Sequence, residues 1–332
     1  MLFSVVIPTR NRLTLMKDAL RGLAAQTLSF RDFEVVVVDN GSTDGTFEAL
    51  SADREAYPFA LNVIRNPDCE RGPAPARNLG VREARGQVIA FLDSDCRPDE
   101  DWLSAAAVVF KRHPSLSLAT GVIDFKPEQV TQIGFFSRKT VVALEEHPTY
   151  PTANSFYKRD VFLAHGGFDE SLSFPNIFGQ SVEAADTDLA WRVRDGGGAY
   201  QFMPQAIVYH EVQHLPPVEW LLEPLRLFLL PALIKMHPAL RSKLLTKGVF
   251  FYPPSAFYYL LAVLFVLVIL FAPSLLIWLP FVAVGVAALK AGTLAPGKVA
   301  KALGKLVLNT IRNYVMCSAL VYGSLRYRTL VL

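Results

Sequence analysis

The run Val88-Ile89-Ala90-Phe91-Leu92, followed at once by Asp93-Ser94-Asp95, constrains the fold more than any other feature of this chain. Unbroken apolar residues suit a strand covered on both faces, as in parallel sheets. Open α/β sheets present their ligand sites at the carboxyl ends of such strands. At that end the chain sets two carboxylates one residue apart, where each raises the cost of ionising the other unless a cation lies near. A hard divalent ion, Mg2+ or Mn2+, shared with substrate phosphates answers that requirement. Taken alone, the tripeptide would serve equally well as a solvated acidic turn; its surroundings decide.

Those surroundings alternate strand and helix through the first 125 residues. Strands are expected at 4–8, 34–38, 60–65 and 88–92, with helices at 13–25, 45–51, 76–84 and 102–113. The rhythm predicts an α/β domain with a largely parallel sheet and nucleotide at its C-terminal edge. The Gly-rich fingerprints of dinucleotide folds and P-loops are absent, so neither NAD binding nor ATP hydrolysis is favoured. Strand ends carry polar clusters: Pro8-Thr9-Arg10-Asn11-Arg12, then Asp39-Asn40-Gly41-Ser42-Thr43-Asp44-Gly45, then Arg71-Gly72-Pro73-Ala74-Pro75-Ala76-Arg77-Asn78. Asp39 and Asp44 could also cap a turn and the helix after it, and Arg77 could pair with a surface carboxylate.

The set PTRNR, VDNGSTDGT, RGPAPARNLG and FLDSD, in this order and spacing, resembles the family-2 glycosyltransferases of GT-A type fold, over roughly residues 3–215. The resemblance implies a nucleotide-diphosphate sugar donor, UDP before GDP or dTDP, and a Mg2+ or Mn2+ cofactor. It puts Asp39 against the base ring, framed by the backbone of Pro8, Thr9 and Arg10. Arg71, Arg77 and Asn78 would line the donor side, Asp93 would reach ribose or metal, and Asp95 would ligate the ion. His210 matches a position where relatives place a metal- or phosphate-contacting histidine; it could also make an ordinary structural hydrogen bond. Asn154, in Thr152-Ala153-Asn154-Ser155, falls in the segment that resembles the acceptor side.

Glu183-Ala184-Ala185-Asp186-Thr187-Asp188 resembles the family's acidic motif, with Ala185 standing where the family has Glu. Asp186 matches the general base, and a carboxylate sheltered from water gains basicity. Glu183 is the alternative base or a sugar contact. Asp188 and Arg192, four apart, are expected to pair along a helix. The implied chemistry is a single inverting displacement on an acceptor hydroxyl. The Gln-x-x-Arg-Trp motif of the family's processive synthases is absent, which favours one sugar per encounter.

Charge divides the chain sharply. All 30 acidic residues lie in 1–223 beside 21 Lys and Arg, a net of −9, whereas 224–332 hold 12 Lys and Arg and no acid. That split predicts an acidic globular domain followed by a basic, membrane-associated tail rather than a nucleic-acid-binding one, because long apolar runs separate the cations. The apolar runs 256–271 and 274–289, joined at Ala272-Pro273, read as a membrane hairpin spanning 249–290. Lysines and arginines on both flanks would keep each end cytoplasmic. The expected organisation is a catalytic domain at 1–215, an interfacial helical linker at 216–248, the hairpin, and a basic amphipathic region at 291–332, with 299–325 either interfacial or a third span. Leu2–Ile7 reads as a domain strand rather than a signal segment, and the three scattered cysteines fit a reducing compartment. A multi-pass protein of the cytoplasmic membrane follows, with lipid as a partner, nucleic acid excluded, and a membrane-proximal or lipid-linked acceptor.

A rival lies in His210-Glu211-Val212-Gln213-His214, the H-E-x-x-H pattern of zinc proteases. That pattern requires a helix, yet Ile207-Val208 precede it and Pro216-Pro217 follow, and no acid after Glu223 could complete the ligand set. A non-catalytic membrane-anchored binding protein is the third reading, favoured only by Ala185.

Overall fold

In a computed structural model, all residues are described except 69–71, 139–141, 176–180 and 253. The chain divides into two compact units, residues 1–133 with 138–213, and residues 134–137 with 214–332.

Among the described residues the first unit holds ten strands: β1 (Phe3–Thr9), β2 (Phe33–Asp39), β3 (Ala60–Arg65), β4 (Val88–Leu92), β5 (Cys96–Pro98), β6 (Leu116–Phe125), β7 (Asn154–Lys158), β8 (Ser173–Pro175), β9 (Ser181–Glu183) and β10 (Ala199–His210). Eight form one sheet in the order β3-β2-β1-β4-β7-β6-β10-β5, and β8 pairs with β9 apart from it. β1, β2 and β4 are buried along their whole length, as their unbroken apolar runs require. The helices α1 (Leu13–Ala24), α2 (Thr46–Ala52), α3 (Pro73–Glu83), α4 (Trp102–Arg112), α5 (Arg159–Ala164) and α6 (Ala185–Asp195) accompany them. α1 buries Met16, Ala19, Leu20 and Leu23, one apolar stripe at helical spacing.

The sheet is mixed, which corrects the expectation of a largely parallel one. β7 runs antiparallel between β4 and β6, and β5 runs antiparallel along the end of β10. The reason is non-local. The edge of β4 is filled by a strand more than sixty residues downstream, and no local pattern announces that pairing. Trp102, Phe3, Phe110 and Phe156 pack edge-on and tilted beneath this join. Gly121 is required beside it, because a Cβ there would sit 2.1 Å from the Ala206 carbonyl oxygen.

Register positions the functional edge. Thr9 pairs with Asp39 and Asp39 with Arg65, so the carboxyl ends of β1, β2 and β3 are level. β4 lies on the other side of β1 and delivers Asp93-Ser94-Asp95 to the same edge. His210 pairs with Cys96, which places the end of β10 beside Asp95.

The second unit is helical: α7 (Pro217–Leu222), α8 (Leu230–Met236), α9 (Leu240–Leu244), α10 (Ser255–Phe271), α11 (Leu279–Ala291) and the 32-residue α12 (Pro296–Tyr327). α12 buries Arg312, Met316, Leu320 and Gly323 on one face. Glu223 receives Arg312 at 2.6 Å and Arg226 at 2.8 Å, and the Arg312 guanidinium lies 4.5 Å from the Trp220 ring centre. The helical stretch Pro273–Ala291, 19 residues long, is the one among the described residues that is long and apolar enough to cross a membrane; Ser255–Phe271 stops at 17. The expected hairpin of two full spans is thus corrected to one, because the chain breaks at Ala272-Pro273 before α10 gains length and Pro254 limits it upstream.

Candidate active site

The carboxyl ends of β1, β2 and β4 gather three groups of polar side chains. In the first, Asp39 is buried at the end of β2, and both its oxygens accept from the Ser42 amide at 3.2–3.3 Å. Its strand partner Thr9 has a buried hydroxyl with no hydrogen-bond partner. An orphaned buried hydroxyl costs about 1–3 kcal/mol, so it marks a place where a ligand group fits. Asn11, in the left-handed region at φ 53°, clasps the two loops: its amide donates to Ser42 and its side chain accepts from the Thr43 amide at 2.7 Å. Pro8 lies within β1, and Arg10 follows it exposed at the strand end. Arg71 lies outside the described residues.

The second group is a buried ion cluster. Arg77 projects from α3 with its side chain only 4% exposed and donates to Asp93 at 2.7 Å and to Glu183 at 2.6 Å. Burial alone would lower its pKa, but the two carboxylates outweigh that and hold it charged. Asp186, one residue into α6, lies in the field of Glu183, Asp93 and Arg77. Burial, reinforced by the Glu183 charge, pushes its pKa up to about 7. Its Oδ1 accepts from the Thr187 amide at 2.7 Å. Asp188 pairs with Arg192 at 2.8 Å, four residues along α6, as its spacing implies.

The third group centres on Asp95. Burial works against its charge, but His210 and Arg12 overcome this and hold the carboxyl below the usual range. Arg12 reaches it at 2.8 Å and His210 Nε2 lies 3.6 Å away. Gln213 also donates to it. Asp95, Cys96 and His210 offer ligand atoms all within 4.8 Å of one another, a grouping that does not include Asp93. His210 Nδ1 lies 2.7 Å from the Glu211 carbonyl oxygen, which can only accept, so Nδ1 carries a proton and Nε2 is the ring nitrogen on the Asp95 side. The chemistry of this donor set fits a divalent cation, which Asp95 and His210 would hold. Cys96 is a bystander, since burial beside two carboxylates raises its pKa well above the ordinary thiol range and a protonated thiol is a poor ligand.

Two expected contacts are placed elsewhere. Asn154 is fully buried: its Oδ1 accepts from Trp102 Nε1 and its Nδ2 donates to the carbonyls of Val122 and Ala206, all at 2.8 Å. It ties β7 to β6 and β10, and the expectation that it touches sugar is corrected. Asn78 spends its amide on the Phe168 backbone and Glu170, which fixes the loop whose Phe168 ring lies 5.9 Å from the Arg77 guanidinium. Arg12, Cys96 and Gln213 were not anticipated at the Asp95 group. Arg12 ends the PTRNR cluster and Cys96 follows Asp95, so both had a local signal; Gln213 had none.

The protease geometry does not form. His210 ends a strand and Glu211–His214 is not helical. Glu211 is held instead by Lys126 and Gln129 at 2.6 Å each.

The α/β unit with its mixed sheet resembles the GT-A class of folds. Residues 4–166, just under half of the chain, match the family described as Glycosyl transferase family 2, which supports a glycosyltransferase domain in this part of the chain. Glycosyltransferase AglE of Haloferax volcanii is 29% identical over 212 residues, covering 62% of this chain and 66% of its own. The chain spans 42% of the length of the Pre-mycofactocin glycosyltransferase of Mycobacterium tuberculosis, 28% identical over 218 residues. Among solved structures, the mannosyltransferase PcManGT of Pyrobaculum calidifontis, in complex with GDP-Man and Mn2+, aligns with a TM-score of 0.57 at 22% identity, covering 98% of this chain and 86% of that one. Staphylococcus aureus TarS 1–349 with UDP aligns at 0.54 and 19% identity, covering 99% and 92%. At these identities the structures support the fold.

Proposed function

We propose that the chain transfers a sugar from a nucleotide-diphosphate donor to a hydroxyl, by one inverting displacement with Asp186 as general base. The observation that carries the reading is Asp186 itself, a carboxylate with its pKa raised to about 7 and set at the edge where β4 delivers Asp93. A base whose pKa lies near the working pH combines the correct protonation state with useful driving force. Asp186 takes the acceptor proton as the hydroxyl attacks the anomeric carbon and the nucleotide diphosphate departs. Asp39 and the orphaned Thr9 hydroxyl accept and donate to the base and ribose, with the Pro8–Arg10 backbone framing them. Arg77, locked between Asp93 and Glu183, positions both carboxylates toward the sugar.

Asp95 and His210 hold the divalent cation, which when bound offsets negative charge on the diphosphate. Arg12 and Gln213 keep Asp95 oriented and ionised. The PcManGT structure is in complex with GDP-Man and Mn2+ and the TarS 1–349 structure with UDP, which supports this ligand class and leaves the choice of UDP first, with GDP and dTDP as alternatives, to measurement. We place the chain at the cytoplasmic membrane with the catalytic unit on the cytosolic side. The support is the dense exposure of apolar side chains from Phe257 to Leu289, among them Phe271 at 80% and Leu289 at 83%. The acceptor on this reading is membrane-proximal or lipid-linked, and one sugar is added per encounter.

The test is turnover of UDP-, GDP- and dTDP-sugars by the purified full-length chain, with Mn2+ and after chelation by EDTA. One donor should be consumed, with loss of activity on chelation and recovery on adding Mn2+, and D95A should not recover. Metal-independent turnover, or turnover unchanged in D95A, contradicts the assignment of the cation.

A further inference from the structure

Four lysines of the second unit, Lys290, Lys298, Lys301 and Lys305, line one cleft of about 380 Å³ together with Phe135 and Leu306. Lys298, Lys301 and Lys305 stand three and four residues apart on α12, so they share one helix face over about 10 Å at 1.5 Å per residue. All four are exposed, and none has an acidic partner among the described residues. No acid follows Glu223 in the sequence to supply one. The arrangement is locally adverse twice over. Lys301 and Lys305 repel at i,i+4, and Lys298 adds positive charge at the positive end of the α12 dipole, whose first turn holds no acid. A local conflict of this kind with no internal compensation points to a partner from outside.

The floor of the cleft says what that partner is. Lys305 Nζ lies 5.5 Å from the Phe135 ring centre, so at least one wall of the cleft sets an ammonium beside an apolar ring. Lys290 closes the last turn of Pro273–Ala291, the stretch of membrane-crossing length, only 6% of whose apolar window is buried. Nineteen residues at 1.5 Å per residue span nearly the ~30 Å hydrocarbon core, which sets Lys290 at headgroup depth. An anion drawn into this cleft is therefore one carried by the bilayer. Ammonium groups in this number match a phosphate of charge near −2 better than a singly charged phosphodiester.

We propose that the Lys290–Lys305 cleft is a binding site for the phosphomonoester or diphosphate headgroup of a membrane lipid. The proposal rests on the membrane reading of Pro273–Ala291 and is independent of the identity of the sugar donor.

The experiment takes the full-length chain in two arms. Flotation with neutral phosphatidylcholine vesicles tests the membrane reading by itself. In non-ionic detergent, equilibrium binding is then measured for short-chain phosphatidic acid, a monoester, for short-chain phosphatidylglycerol, a diester, and for inorganic phosphate. Phosphatidic acid should bind saturably and at least tenfold more tightly than the other two. K301Q/K305Q should lose about tenfold of that affinity while still floating with neutral vesicles, and the charge-matched K235Q/K243Q should bind as wild type. Equal loss in both double variants, or equal affinity for monoester and diester, would reduce the cleft to a generally cationic surface and overturn the proposal. Inorganic phosphate binding as tightly as the lipid would overturn the lipid assignment. Failure to float with neutral vesicles, with monoester selectivity intact, would sink the membrane reading and move the ligand to a soluble phosphate.

Discussion

The two units treat charge in opposite ways. In the first, the charges at the sheet edge are buried and matched. Arg77 bridges Asp93 and Glu183, Arg12 and His210 serve Asp95, and Lys126, its side chain 4% exposed, bridges Asp18 and Glu211 at 2.7 and 2.6 Å. In the second, the Glu223–Arg226–Arg312 group is matched in this way, while a lysine face and a long apolar surface are left facing outward. A charge that is fully paired inside the protein is pre-organised for chemistry or for holding the fold. A charge or apolar face with no internal complement takes its complement from the surroundings. The first unit thus reads as a reaction site, and the second as a surface made for a membrane.

Removing charges from each unit sharpens that comparison. R77A leaves two carboxylates buried without their cation, so it should cost about 3–5 kcal/mol in denaturant unfolding of the full chain. An unchanged midpoint would show that the ion cluster is open to water. N154A strips Trp102 Nε1 and two carbonyls of their partner and should cost about 1–3 kcal/mol for each group left unsatisfied. Retained stability with altered acceptor use would instead restore Asn154 to the sugar. D186N should act on stability through pH. The folded-state pKa of Asp186 near 7 stands above the ordinary 3.8, so the folded chain binds the extra proton between those values and loses stability as pH rises through 7. The variant should therefore raise the melting temperature at pH 8 by more than at pH 5; an equal change at both would remove the elevated pKa. K301Q, which lacks an internal partner, should change stability by less than about 0.5 kcal/mol, and a larger loss would show that the lysine face is structural.

Much of the reaction site was legible in the sequence because it is local. β1, β2 and β4 are short apolar runs with polar residues at their ends, and period and turn chemistry are enough to find them. Asp39 and Asp93 lie directly at those ends, Asp95 stands two residues past Asp93, and Arg77 lies in α3 just after the third polar cluster opens. What escaped is what depends on pairing between distant segments. β7 wedges antiparallel beside β4, so Asn154 faces the join instead of the cleft, and its own sequence carries no mark of that neighbour. Gln213 reaches Asp95 from 118 residues away. In the second unit, composition showed the apolar and basic character, but the break at Ala272-Pro273 decides how much of it is of membrane length. The stripe of Lys298, Lys301 and Lys305 became visible only once one continuous helix set its faces.

The central claim is that Asp186 is the base of glycosyl transfer, and the pH dependence of donor turnover in wild type and D186N tests it most directly. Turnover should fall about tenfold per pH unit below a pKa near 7 in the wild type, because the base must be ionised to accept a proton. D186N should lose about 10²–10⁴-fold in kcat and the acidic limb with it, while the KM for donor stays within a few-fold. A D186N enzyme that keeps its rate and the same limb would contradict the account and move the base to another residue, with Glu183 first in line.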